Sequence, residues 1–175
     1  MDLSKVNCLT IAYNNLSNQI LCSVKVSTPQ SLLSQGENQL ENVCLAIWDT
    51  GATGSAITAL TAKKLNLAPV SIKRVSGLGG TVAKNVYLVD IHLPNNVKIP
   101  NLSVTEIDNP QDEKGNIIDN FGVLIGMDII CRGDFSLTNF EGKTIMSFRM
   151  PSSHKVDYVE EWNRRMAVQQ KYRRK

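Results

Sequence analysis

Aromatic residues are scarce, 6% of a 175-residue chain. No apolar run approaches the roughly 18 residues that a membrane-spanning helix needs. The four cysteines, Cys8, Cys22, Cys44 and Cys131, form no Cys-x-x-Cys pair, and each lies among apolar neighbours. Buried reduced thiols are therefore expected rather than disulfides or zinc ligands. The two histidines, His92 and His154, lie far apart and lack metal-ligand spacing. No Gly-x-x-x-x-Gly-Lys-Ser/Thr loop is present to cradle phosphates, and Ser55 has no nucleophile elbow around it. The first residues, Met1-Asp2-Leu3-Ser4-Lys5, lack a basic region leading into an apolar stretch. No secretory signal and no membrane association are expected, and a cytoplasmic protein is. No internal repeat suggests two similar lobes.

What is present suits one compact domain with a terminal extension. Hydrophobic residues make up 42% and charged residues 20%, values ordinary for a globular protein. From Pro151 onward seven Lys/Arg face three Asp/Glu, a net +4, which leaves −1 for the other residues (12 against 13). We read residues 1–150 as the domain and 151–175 as a basic, helical tail. Val159, Trp162 and Met166 recur there at helical spacing. The tail's Arg164, Arg165, Lys171, Arg173, Arg174 and Lys175 offer a contact for nucleic acid or acidic protein, but a solvated helix end is the preferred reading. Arg132-Gly133-Asp134 reads as a turn.

Many short β-favouring runs separated by turn signals predict an all-β barrel or closed sheet. Val6 to Tyr13 and Gln19 to Ser27 are expected to pair as a hairpin, followed by a loop over Thr28 to Asn42. Val70 to Val75 and Thr81 to Leu93 flank a glycine cluster as two strands. In the second, Tyr87, Val89, Ile91 and Leu93 share one face. His92 falls on the more polar face, where exposure is expected. Thr58 caps a short helix with Leu60 and Leu65 turned inward. Val97 to Thr105 forms a strand, and Ile107 to Asn120 a long surface loop. Met127 to Cys131 forms a short helix, and Phe135 to Thr138 with Thr144 to Met150 a closing hairpin around Glu141-Gly142.

The chain is organised around Val43-Cys44-Leu45-Ala46-Ile47-Trp48-Asp49-Thr50-Gly51-Ala52. An apolar run bounded by turn residues reads as a buried strand, and the aspartate at its end sits where water is scarce. A carboxylate there needs donors, a partner charge or a proton. An ordinary Asp-Thr-Gly turn competes on these residues alone. Two later stretches decide against it: Ser76-Gly77-Leu78-Gly79-Gly80, and Val123-Leu124-Ile125-Gly126-Met127-Asp128.

In this order the three motifs resemble the retropepsins, the retroviral-type aspartic proteases, and most closely their bacterial relatives, over about Cys44 to Arg149. The resemblance implies a closed β-barrel-like acid-protease fold, to which the residues themselves add a short helix after Ile-Gly-Met-Asp and a C-terminal helix. It implies an aspartic endopeptidase that needs no metal or cofactor. Asp49 is the catalytic acid, and a single Asp-Thr-Gly requires a homodimer to supply its twin. Thr50 bonds across the dimer, Gly51 brings backbone N–H to the carboxylates, and Ala52 keeps the wall small. Gly77, Leu78, Gly79 and Gly80 form a flap over an extended polypeptide substrate. Leu124, Ile125 and Gly126 pack beneath the site. Retroviral members usually carry arginine after this glycine, where this chain has Met127. Asp128 reads as a helix cap or structural carboxylate rather than a second acid. Trp48 is bulkier than the aliphatic residue expected there and points into the core. The alternative is a non-catalytic dimeric module on the same fold, binding peptides or organising an assembly.

Overall fold

A computed structural model describes residues 7–77, 80–94 and 96–173. Among the described residues, ten strands and three α-helices follow in order: β1 (Asn7–Ala12), β2 (Leu21–Ser27), β3 (Glu41–Trp48), β4 (Ala56–Thr58), α1 (Ala59–Lys64), β5 (Ser71–Gly77), β6 (Gly80–His92), β7 (Lys98–Ile107), β8 (Phe121–Ile125), α2 (Met127–Ile130), β9 (Asp134–Phe140), β10 (Lys143–Met150) and α3 (Tyr158–Arg173).

Six strands close on themselves in the order β2-β3-β8-β4-β7-β6. The seam between β2 and β6 pairs Lys25 with His92, Val26 with Ile91 and Ser27 with Asp90. The expected closed all-β barrel is therefore present. Alternation fills it: Val24, Val26, Ala46, Val89, Ile91, Val104, Val123 and Ile125 are all buried, because successive strand side chains face opposite ways. β5 hangs outside the barrel and, among the described residues, pairs only with β6.

A second sheet, β1-β10-β9, lies apart from the barrel strands. The expected hairpin between the first two strands does not form. β1 instead pairs antiparallel with β10 along its whole length, Asn7 with Met150 through Ala12 with Ile145. Tyr13 N–H continues that ladder to Thr144 O at 2.8 Å, so the chain leaves β1 already committed to the second sheet. The β9–β10 hairpin turns through Glu141 (φ 50°) and Gly142 (φ 74°). Two consecutive left-handed residues are what a two-residue hairpin turn needs.

Trp48 joins the two sheets. Its ring is 6% exposed and lies 5.0 Å from the Phe148 ring and 5.9 Å from the Phe135 ring. Its indole N–H donates to Cys22 Sγ at 3.2 Å, so the polar handle of a buried tryptophan is satisfied. The expected inward direction of Trp48 holds.

Thr58 caps α1 by accepting from Thr61 N–H, and Leu65 is fully buried beside it. Two thiols depart from expectation: Cys22 and Cys44 are buried, but Cys8 and Cys131 are exposed. On α3, Val159 and Trp162 are 72% and 63% exposed. Among the described residues, no helix is long and apolar enough to cross a membrane.

Candidate active site

β3 and β8 run parallel, with Ile47 beside Leu124 and Trp48 beside Ile125. Their ends therefore bring Asp-Thr-Gly-Ala and Ile-Gly-Met-Asp together. Asp49 N–H donates to Ile125 O at 2.9 Å, carrying the ladder one residue past the strand. The chain then turns, with Ala52 N–H donating to Asp49 O at 3.3 Å. Inside the turn, Gly51 N–H donates to Asp49 Oδ1 at 2.8 Å. A Cβ on Gly51 would lie 3.2 Å from that same oxygen, tighter than ordinary contact. Glycine thus lets a backbone donor reach the acid, and the other oxygen of Asp49 stays available. Asp49 and Ala52 are half-buried, while Thr50 and Gly51 are exposed.

The turn is fastened to the start of α2. Met127 N–H donates to Ala52 O at 2.9 Å. A Cβ on Gly126 would fall 2.5 Å from the Gly54 carbonyl carbon and 2.6 Å from its oxygen, so nothing larger than hydrogen fits. Leu124 is half-buried and Ile125 fully buried beneath.

Ser55 and Asp128 complete the clamp. Ser55 is buried, donates its hydroxyl to Asp128 Oδ1 at 2.6 Å and its N–H to Oδ2 at 3.0 Å. Its hydroxyl also accepts from Gly126 N–H at 3.0 Å. Both carboxylate oxygens of Asp128 are therefore occupied by one serine. The structural-carboxylate reading of Asp128 fits this geometry, but the capping one does not. Gly126 stands at the N-cap of α2 without a side-chain bond. In the sequence Ser55 is a serine without a nucleophile elbow. Nothing in the spacing of residues 55 and 128 links them, and only the meeting of β4 with β8 brings them into contact.

Opposite the turn, β5 and β6 form a hairpin in which Gly77 pairs with Gly80. Gly80 adopts φ +107°, a backbone that glycine alone takes without strain. Leu78 and Gly79, the tip of the expected flap, lie outside the described residues. Between hairpin and turn runs a cleft of about 540 Å³. Gly51, Ala52 and Leu124 line one side, Val75 and Val82 the other. Glu106 also lines it, and its Oε2 accepts from Tyr87 Oη at 2.5 Å and Asn85 Nδ2 at 3.2 Å. Burial, and then donation to Glu106, pushes the Tyr87 phenol upward.

His92 is half-buried, not exposed. It lies 3.5 Å from Ser27 Oγ, and burial holds its ring below the usual histidine range. His154 uses its backbone N–H on Asp134 at 3.0 Å. Asp134 also accepts from Arg149, Ser152 and Ser153, so the Arg-Gly-Asp turn anchors the chain that leads to α3.

Among solved structures, a retropepsin-like aspartic protease from Rickettsia conorii is similar at 14% identity and a TM-score of 0.43, over 83% of this chain and 95% of that one. No curated protein sequence matches the chain significantly. A family model described as aspartyl protease matches residues 38–129, just over half of the chain. The match takes in the Asp49 turn, the glycine hairpin and the Gly126 clamp together, and the chain therefore belongs to the aspartyl protease family and is a peptidase.

Proposed function

We propose that the protein is a retropepsin-like endopeptidase in which Asp49 meets Asp49 of a second copy across a two-fold axis. The observation that carries this reading is the isolation of Asp49. It ends a buried strand, is held by one backbone donor at 2.8 Å, and leads directly into Gly51 and Ala52, which line the cleft. The nearest alternative acid in the motifs, Asp128, is bound at both oxygens by Ser55. The second carboxylate must then come from elsewhere, and symmetry supplies it.

Two like charges in contact cannot both ionise easily, so the pair holds one proton between them. Aspartic proteases are the standing example of such a dyad. The ionised member takes a proton from water as the water oxygen bonds to the scissile carbonyl carbon. The protonated member gives its proton to the carbonyl oxygen. Collapse of the resulting diol breaks the C–N bond, and the amine leaves with a proton. Thr50, exposed beside the acid, bonds across the dimer. Leu124, Ile125 and Gly126 hold the floor, while Gly77 to Gly80 close over the substrate. Residues 1–150 perform this chemistry, and the tail from 151 is an appendage to it.

The test is a peptide-library digest by the wild type and Asp49→Asn, with sedimentation of both. The expected result is cleavage by the wild-type dimer and a loss of roughly 10²–10⁴-fold in the variant, with the dimer retained. Rate against pH should be bell-shaped, with its optimum on the acidic to near-neutral side. Full specific activity from a monomer, or undiminished cleavage by Asp49→Asn, would overturn the reading.

A further inference from the structure

The cleft wall carries a charge that the chain itself leaves unmatched. On the flap hairpin, Lys73 stands directly opposite Lys84, and Val75 opposite Val82. These four share one face by strand alternation, and all four border the cleft. Like charges directly opposite on a sheet face repel. Lys84 is relieved, because its ammonium sits 2.6 Å from Asp108 Oδ1. Glu106, the other carboxylate of the cleft, is already engaged by Tyr87 and Asn85. Among the described residues, Lys73 takes part in no ion pair. Arg74 adds a further positive charge at the cleft edge.

We propose that Lys73 forms a carboxylate subsite, so that the protein selects polypeptides carrying Asp or Glu at one position facing the flap. The proposal rests on the peptidase reading for the identity of the cleft's occupant. An extended substrate turns alternate side chains toward the hairpin. The two valines offer an apolar surface to one such side chain. Lys73 then offers a charge to a neighbour two residues along, where a carboxylate relieves the repulsion from Lys84. The contact is partly solvated, so its selectivity is modest and weakens as salt screens it.

Three peptide libraries test this, each randomised around one fixed position that is Glu, Gln or Lys. Binding is measured with the full chain carrying Asp49→Asn, alone and combined with Lys73→Gln or Lys73→Glu. Cleavage of the same libraries is measured with the wild type. The Glu library should bind about five-fold better than the Gln library, the ratio an exposed ion pair supports. Lys73→Gln should remove that preference, Lys73→Glu should turn it toward Lys, and high salt should flatten both. Equal binding of the three libraries, binding of none, or a Glu preference that survives Lys73→Glu would overturn the proposal. Selective binding without any cleavage by the wild type would keep the subsite and remove the endopeptidase reading. Cleavage indifferent to the fixed position would do the reverse.

Discussion

The two walls of the cleft are built in opposite ways. The floor, residues 49–55 with 124–128, is tied at several points. Asp49 is bonded to β8, Ala52 to Met127, and Ser55 to both Gly126 and Asp128. The roof, β5 and the start of β6, is held mainly by its own ladder, with Lys84 tied to Asp108 near its base. Ile72, Val75 and Val82 are all exposed, and among the described residues β5 pairs with no strand other than β6. A peptidase needs a fixed acid and a cover that yields to let substrate enter. The sequence places small residues and hydrogen-bonding hydroxyls on one side and exposed valines and glycines on the other.

If the floor is as rigid as its bonding implies, the largest effect comes from forcing it apart. Gly126→Ala drives a methyl against the backbone of Gly54, not against a side chain that can swing away. We expect a loss of about 3 kcal/mol in urea unfolding, the upper end for overpacking, together with loss of cleavage.

A second effect comes from the barrel core, where Cys44 is buried. Burial pushes the Cys44 thiol up to about 11 from its ordinary 9.0, opposed by the nearby Lys64 charge. A folded value above the unfolded one means a contribution fully present below pH 9 and lost as pH rises from there through about 11. Two units correspond to roughly 2–3 kcal/mol. Unfolding followed from pH 8 to 11 should show this decline, and Cys44→Ala should flatten it. An unchanged slope in the variant would assign the decline to other groups.

Cutting the Ser55–Asp128 tie is milder. Asp128→Ala leaves a buried hydroxyl and an N–H without their acceptor, at a cost of about 1–3 kcal/mol. Activity should fall further than stability does, because the turn that carries Asp49 loses its anchor. Asp128→Asn, which keeps one acceptor oxygen, should recover part of both. Equal losses from the two variants would mean that the charge, not the acceptor geometry, holds the turn.

The smallest stability change is predicted for the roof. Val75→Thr or Val82→Thr should alter unfolding by less than about 0.5 kcal/mol, as exposed positions do, while raising KM. A large loss of stability there would show that the roof is as fixed as the floor.

Most of this contrast could be read from residues alone, for a physical reason. Strand alternation, the Thr58 cap and the Glu141-Gly142 turn are local. The apolar run ending at Asp49 and the glycine pair at the hairpin are local too. What could not be read was partnership at a distance. β1 gives no sign that it belongs with β10 rather than β2, since an edge strand's alternation suits either neighbour. The three-residue β4 is too short to carry a period, yet it delivers Ser55 to Asp128. Cys8 and Cys131 look apolar in context but are exposed, because burial depends on what covers a strand or helix end and not on its neighbours in the chain.

Trp48 has one more consequence. The chain holds two tryptophans, one 6% exposed beside Asp49 and the other, Trp162, 63% exposed on α3. Light emitted by the first comes from an oily enclosure between two sheets, and light from the second comes from water. A dissolved quencher can reach only the second. The molecule therefore carries its own optical gauge at the joint behind the acid, readable without a dye while substrate, salt or acidity is varied.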